Sequence, residues 1–308
     1  MQVRFLLFLM MSGLPAVAQV HDVYYQGSLT PLNTTPTFDH GYLVVYDWDH
    51  RVDVFAPDGT LMYSVAAKVP GTAWAMIENG AVDSDGTMAA AVRGVSAAGI
   101  AGGGGIAWFD HTGSQIRFVD TGGYLPTQVA FGPDHSIWTI GWFAGKASLT
   151  ADYFTLRNYT QDGRELGEFL PRASFPYGND LEVGEPLIMP MAGLWELRVA
   201  NERVEVILHR AHLWVQTDLN GQEKGRWNIA SRAPNGRRPD AITQDGRAWY
   251  TDPHHLSVFD RAAGVWRAVP FELPQGNLLG ADGDSLVFML ADRHTLRWVP
   301  APSGSSAP

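Results

Sequence analysis

One short unit recurs along this chain, and it limits the folds that the chain can adopt. In residues 43–65, three runs rich in β-branched and aromatic residues are separated by a polar break and by the turn Pro57-Asp58-Gly59. Short alternating apolar runs favour strands that are buried on one face, and glycine accepts the positive φ that such a turn requires. The unit therefore predicts an antiparallel meander of three strands.

The same order of strand, aromatic residue, glycine turn and alternating strand returns further along the chain. Two copies are close, at residues 106–119 and 156–170, and two looser copies have their turn glycines at Gly221 and Gly264. The mean step from Gly59 to Gly264 is about 50 residues, which is within the range of propeller blades. A lone meander is marginally stable in water, so the copies are expected to pack into one array.

A second marker, an apolar strand followed by a polar turn, precedes each meander. The six markers lie near residues 41, 86, 135, 203, 246 and 284. Six markers with four strands per repeat predict an all-β fold, a six-bladed β-propeller of four-stranded antiparallel blades. A seventh blade would need strands within residues 171–190, a segment whose four prolines oppose regular strand pairing.

The sixth repeat lacks an outermost strand in its own part of the sequence. Residues 20–29 contain the β-prone run Val23-Tyr24-Tyr25. We therefore predict that the N-terminal segment supplies the missing strand and closes the ring.

The start of the chain has the pattern of an export signal. Arg4 precedes an apolar core at residues 5–11, and Ala16-Val17-Ala18 has the small residues of a cleavage site. No other segment reaches the roughly 18 apolar residues of a transmembrane helix, so none is expected. We predict an exported protein, periplasmic or extracellular, with a signal peptide at 1–18, a propeller domain at 19–299 and a disordered tail at 300–308.

Composition narrows the partners and the chemistry. The 308 residues are 45% hydrophobic, enough for one large domain, and the formal charge of −10 argues against nucleic acid as a partner. Arg237-Arg238, the densest basic pair, is interpreted as a solvated turn rather than a phosphate site. The chain has no cysteine, which removes disulfides, thiolate nucleophiles and cysteine-ligated metals. We expect a monomer.

Three insertions interrupt the repeats, at residues 93–105, 142–153 and 171–190. The first two separate second from third strands, so both are predicted on one face. Gly102 to Gly105 lacks the Gly-Lys-Ser/Thr ending of a phosphate loop and is predicted to be a flexible loop. Most tryptophans lie within predicted strands, where they fill the wedges between blades, but Trp142 and Phe143 lie in an insertion and could stack on a sugar or a peptide.

Polar residues upstream of the markers begin the inner strands and are predicted to face the channel mouth. They are Glu78, Asn79, Gln128, Glu196, Asp240 and Asn277. Such carboxylates and amides could ligate a hard divalent cation such as calcium, or could simply line a hydrated channel mouth. His254 and His255 are interpreted as exposed turn residues rather than metal ligands.

The segments YDWDHRVDVFAPDG and YTDPHHLSVFD resemble NHL-type repeats, and FGPDHSIWTIG is similar to a strand of the virginiamycin B lyase type. This likeness covers most of residues 35–300 and implies a six-bladed propeller. Gluconolactonase and regucalcin-like hydrolases, which are similar in fold, hold a divalent cation with Glu, Asn and Asp. Asp240 after Pro239 matches their metal-binding Asp, and Glu196 is its nearest acidic neighbour by blade order. Trp195-Glu196-Leu197 and Thr34-Thr35-Pro36 depart from the other two ligand motifs.

These observations leave two functions open. The first is a binding module that contacts a small molecule, glycan or protein through its channel-face loops. The alternative is a metal-dependent lactonase, esterase or lyase of the propeller class, with Asp240 and Glu196 as its metal ligands. No Gly-x-Ser-x-Gly nucleophile motif occurs, so no catalytic residue is assigned.

Overall fold

A computed structural model describes residues 20–25, 36–46, 51–99, 101–143, 153–175, 195–200, 202–208, 213–229, 240–252 and 254–303. Within these ranges, 24 strands form six sheets of four antiparallel strands each, arranged as the blades of a ring. The predicted six-bladed β-propeller is confirmed. None of the described residues form a helix long and apolar enough to cross a membrane.

The strands are numbered in chain order. The first half comprises β1 (His21–Tyr24), β2 (Thr37–Asp39), β3 (Tyr42–Tyr46), β4 (Val52–Phe55), β5 (Leu61–Val65), β6 (Trp74–Val82), β7 (Met88–Val95), β8 (Ala101–Phe109), β9 (Gln115–Asp120), β10 (Tyr124–Phe131), β11 (Ile137–Phe143), β12 (Phe154–Tyr159) and β13 (Glu165–Pro171). The second half comprises β14 (Trp195–Ala200), β15 (Arg203–Leu208), β16 (Leu213–Asp218), β17 (Glu223–Asn228), β18 (Ala241–Ile242), β19 (Ala248–Thr251), β20 (Leu256–Asp260), β21 (Val265–Val269), β22 (Gly276–Asp282), β23 (Ser285–Leu290) and β24 (Thr295–Pro300). A 3-10 turn, Arg172–Ser174, follows β13.

The first blade contains β2 to β5, and each later blade takes the next four strands up to β21. The sixth blade contains β22, β23, β24 and β1, in that order from inner to outer edge. Because neighbouring strands are antiparallel, turns from first to second and from third to fourth strands lie on one face, here called the turn face. Connections from second to third strands, and from blade to blade, lie on the opposite insertion face.

The predicted meander turns form through side chains of aspartate. In the first blade, Asp58 Oδ1 accepts a hydrogen bond from the Thr60 N–H at 2.9 Å, and Gly59 has a φ of +85°. In the second blade, Asp110 Oδ1 accepts from the Thr112 N–H at 2.9 Å. Aspartate side chains that mimic a backbone turn in this way explain why the Asp-Gly pattern marks the blades.

The ring closes as predicted, with the N-terminal strand in the sixth blade. Strand β1 pairs with β24, placing His21 opposite Trp298 and Tyr24 opposite Thr295. Strand β24 ends at Pro300, one residue beyond the predicted domain end. The predicted signal peptide at 1–18 and residues 304–308 of the predicted tail lie outside the described residues.

Large aromatic side chains fill the spaces between blades, as the sequence predicts. Trp138, Trp214 and Trp249 are fully buried, and Trp108 and Trp298 are nearly so. Burying such large side chains between sheets adds to the apolar contact that aliphatic residues make between neighbouring blades.

The flexible loop predicted at Gly102 to Gly105 is wrong, because these glycines lie inside strand β8. A Cβ on Gly105 would overlap the Val119 carbonyl oxygen, and one on Gly104 would lie 2.7 Å from Leu125 Cδ2. The glycines therefore permit close packing rather than flexibility. Strand β7 ends at Val95 and β8 begins at Ala101, so most of the predicted insertion belongs to strands.

Candidate functional site

The inner strands β2, β6, β10, β14, β18 and β22 surround the central channel. Described parts of three of them contain a β-bulge: between Ile77 and Asn79, between Pro126 and Gln128, and between Leu278 and Gly280. A bulge inserts one unpaired residue and redirects the side chains around it.

These bulges place the predicted channel-mouth residues at different positions along their strands. Glu78 is the bulged residue of its strand, Gln128 follows the bulge of its strand, and Asn277 precedes the bulge of its own. Gln128 is 7% exposed, whereas Asn277 is exposed. Spacing counted from the sequence markers does not detect a bulge, so residues at one predicted offset differ in their position relative to it.

Glu78 is buried in the wall of the channel, with 1% of its surface exposed. Arg93 Nη2 lies 2.9 Å from Glu78 Oε1, but without hydrogen-bond geometry, and within the described ranges neither carboxylate oxygen has a hydrogen-bond partner. Burial raises the pKa of Glu78, and the charge of Arg93 offsets part of this rise. The pair is a buried charged contact rather than an open cation ligand.

Arg93 also contacts the first predicted aromatic residue. Its guanidinium carbon lies 5.7 Å from the ring centroid of Trp142, a cation–π distance. Trp142 is 6% exposed and packs with Leu125 and Tyr153. The prediction of Trp142 in an insertion loop is wrong, because β11 continues through Phe143 and Arg93 occupies one side of the indole.

A second arginine holds the other predicted aromatic residue. Arg157 lies 5.7 Å from the ring centroid of Phe143 and 4.4 Å from that of Tyr124. Its guanidinium also pairs with Glu165 at 2.8 Å and with Glu168 at 2.5 Å. Phe143, unlike Trp142, is half-buried.

These residues form one wall across blades two and three, here called the aromatic–arginine wall. It consists of Glu78, Arg93, Trp142, Phe143, Tyr153 and Arg157. Three of its six members, Glu78, Trp142 and Phe143, are predicted site residues. Sequence reasoning missed the two arginines, although an arginine inside an apolar strand such as MAAAVRGV signals a buried partner.

Asn79 joins three blades instead of facing a ligand. Its amide donates to the Tyr46 hydroxyl at 3.2 Å, and its Oδ1 accepts from the Val129 N–H at 2.9 Å. The Tyr46 hydroxyl also accepts from the Gly80 N–H at 2.7 Å. Since all these polar groups are buried, the network contributes to packing of the first three blades.

Asp240 and Glu196 do not form a cation site with other described residues. Asp240 Oδ2 accepts from the Thr251 N–H at 2.7 Å and from its hydroxyl at 2.9 Å, while Glu196 is half-buried on β14. Within the described part of the chain, no three His, Asp or Glu side chains gather closely enough to hold a metal. Among the described residues, these two carboxylates alone provide too few ligands for the divalent cation that the family resemblance implies.

His254 and His255 lie in an exposed turn, in agreement with their interpretation. Asp252 Oδ1 accepts from both of their backbone N–H groups, at 2.8 and 2.7 Å. His255 has 62% of its side chain exposed.

Two large aromatic side chains are exposed where strands begin at the insertion face. Trp74, the first residue of β6, is 45% exposed and stands opposite Val95. Phe154, the first residue of β12, is 37% exposed. They belong to blades two and three, the same blades as the aromatic–arginine wall. Trp74 was missed because the sequence predicts that this inner strand begins near Glu78, whereas β6 begins four residues earlier, at Trp74.

No protein-family model and no curated protein matches this chain. Among solved structures it is similar to virginiamycin B lyase from Staphylococcus aureus, with 13% identity over 92% of this chain and 99% of that chain, at a TM-score of 0.46. A streptogramin B lyase structure has 14% identity over 91% of this chain and 96% of the other, at a TM-score of 0.44. The extracellular domain of a one-component system from B. thetaiotaomicron has 11% identity over 86% of this chain and 32% of that chain, at 0.45. These likenesses carry no argument about activity, and the strand pairing itself identifies the chain as a six-bladed β-propeller.

Proposed function

We propose that this protein is an exported binding module whose ligand contacts the insertion face at blades two and three. The observation that carries the proposal is Trp74, a tryptophan 45% exposed at the start of an inner strand. Tryptophan is enriched at binding surfaces, because it combines a large apolar face with one hydrogen-bond donor. Phe154 on the same face adds a second exposed aromatic side chain.

The aromatic–arginine wall supports the proposal because it belongs to these same two blades. Its aromatic rings are fixed by cation–π contacts with Arg93 and Arg157, and these arginines are fixed by Glu78, Glu165 and Glu168. A rigid base loses little conformational freedom when a ligand binds, so more of the contact energy appears as affinity.

Ligand chemistry follows from the exposed groups. A half-exposed indole stacks on the apolar face of a sugar ring or on a proline or aromatic side chain of a peptide. We therefore propose a glycan or an extended peptide as the ligand. A small molecule with a comparable apolar ring face would bind in the same way. The proposal of export is supported by the signal pattern in residues 1–18.

Binding to a glycan array and a peptide array tests this function, with labelled mature protein as the probe. We expect Trp74→Ala to weaken any saturable binding roughly thirty-fold, the effect of losing a central tryptophan worth about 2 kcal/mol. Ile116→Ala is the matched control, because Ile116 is 60% exposed on the outer strand of the same blade. Equal binding by wild type and Trp74→Ala would contradict the proposal. So would an equal loss of binding in Trp74→Ala and Ile116→Ala.

The metal-dependent alternative gives a different result. Calcium would then bind stoichiometrically by calorimetry, and Asp240→Asn would abolish both this binding and any lactone or ester hydrolysis. That pair of results, with Trp74→Ala unaffected, would replace the binding function with the hydrolase.

A further inference from the structure

Arg198 extends across the channel near its turn-face end. It lies on β14 in blade four, and its Nη2 donates to the Ala281 carbonyl oxygen on β22 in blade six, at 3.3 Å. Blade five lies between them in chain order, but its inner strand β18 has only two residues, Ala241–Ile242.

The guanidinium of Arg198 has little protein to pair with. Within the described part of the chain, no carboxylate lies within the 4.0 Å of an ion pair, and the bond to Ala281 is its one hydrogen bond. A guanidinium carries five N–H donors, so four of them have no acceptor there. In contrast, Arg93 and Arg157, which also lie in strands, each approach a carboxylate within 2.9 Å.

Two carboxylates lie at the turn-face ends of inner strands, Asp39 on β2 and Asp282 beside Ala281 on β22, and each has a partner of its own. His40 Nδ1 is 3.3 Å from Asp39 Oδ1, and Trp298 Nε1 donates to Asp282 Oδ2 at 3.1 Å. Burial raises the pKa of Asp39, and the charges of His40 and Arg198 oppose this rise while Asp282 adds to it. Arg198 is therefore close enough to act on Asp39 without forming an ion pair with it.

We propose that Arg198 is an anion-binding residue at the turn-face end of the channel, and that it binds a carboxylate group. The planar fork of arginine N–H donors matches the two oxygens of a carboxylate. The negative charges of Asp39 and Asp282 disfavour a dianion such as phosphate, which leaves a monoanion as the ligand class. This site lies toward the opposite end of the channel from Trp74 and goes beyond the function proposed above.

The test follows the Nε–Hε resonances of arginine in ¹⁵N-labelled mature protein during titration with sodium acetate. Sodium chloride at equal ionic strength and acetamide, a neutral molecule of the same shape, are the controls. Arg198→Lys identifies the Arg198 resonance by its loss. We expect that resonance to shift saturably with acetate alone. No shift, or the same shift with chloride, would overturn the proposal.

A second variant, Asp39→Asn, tests whether acetate binds beside Asp39. Asp39→Asn removes a neighbouring negative charge, so acetate binding should tighten several-fold. Asp53→Asn is the matched control, because Asp53 has the same 26% side-chain exposure but lies on β4, away from the inner strands. An acetate affinity unchanged by Asp39→Asn would contradict the site. Trp74→Ala should leave the acetate titration unchanged. The proposals for Trp74 and for Arg198 can therefore fail independently of each other.

Discussion

Two histidines at the turn face join the first three blades. His40 and His135 have φ values of 50° and 61°, a left-handed conformation that glycine adopts at Gly86 and Gly246 in other blades. Both imidazoles reach blade two. His40 Nδ1 is 3.2 Å from the Val82 carbonyl oxygen, and His135 Nδ1 is 2.6 Å from Asp83 Oδ2. Each histidine thus adds an interblade contact from a positive-φ turn residue, which a glycine side chain could not make.

These contacts predict that stability falls as the pH rises through the titration of His40. The hydrogen bond with Asp39 raises the pKa of His40 to about 9, so its contribution is complete below its unfolded pKa of roughly 6.5 and is lost as pH rises to about 9. His40 is 45% exposed, so solvent screening limits the effect to about 1 kcal/mol.

Urea unfolding at pH 6 and pH 9.5 measures this prediction. His40→Asn should flatten the fall, since asparagine tolerates positive φ and does not titrate. His111→Asn, in an exposed turn, is the control and should retain the wild-type dependence. A wild-type stability that is equal at both pH values would refute the prediction.

Sequence and structure agree on residues whose role is local and differ where the partner comes from another blade. Gly59 and the strand tryptophans were predictable, because turn chemistry and apolar alternation are visible within a few positions. Arg93 and Trp142 are in contact but lie 49 positions apart in the sequence, so no short-range pattern links them. The aromatic–arginine wall could therefore be predicted only in part.

At the scale of elements, the inner strands explain why the candidate site differs from its prediction. Bulges in β6, β10 and β22 shift the register by one residue. A one-residue shift turns a side chain to the other face of its strand. Repeat spacing predicts the number of blades but not these register shifts. Residues at the same distance from their sequence markers therefore occupy different environments.

Strand β1 gives the sharpest prediction at this scale. Deleting residues 20–25 should lower the melting temperature and the solubility, because β24 becomes an exposed edge and the fully buried Tyr25 is lost. Thermal unfolding and size-exclusion chromatography measure both effects.

The comparison variant is Asp22→Asn, which weakens one exposed pair within the same strand. Asp22 accepts two hydrogen bonds from Arg297, both at 2.7 Å, and such surface pairs contribute less than about 1 kcal/mol. Its melting temperature should therefore stay close to wild type. A deletion variant as stable as Asp22→Asn would show that β1 does not hold the ring closed.

For the whole molecule, export is the prediction that determines where the ligand is found. Expressed with its own N-terminus, the protein should mature to Gln19, because Ala16-Val17-Ala18 has the pattern of a cleavage site. N-terminal sequencing of the protein recovered outside the cytoplasm measures this. Recovery of chains that still begin at Met1 would contradict it, and Ala18→Leu, which enlarges the cleavage position, should block maturation.

The pairing of β1 with β24 sets an order of events for a chain made from its N-terminus. The Asp22–Arg297 contact spans 275 positions, so β1 can pair only after β24 has been synthesised. Until then five blades can form with local partners, while β1 has no strand with which to pair. Closure of the ring thus requires both β1 and β24. A chain truncated before β24 keeps an open ring even when its other blades have formed.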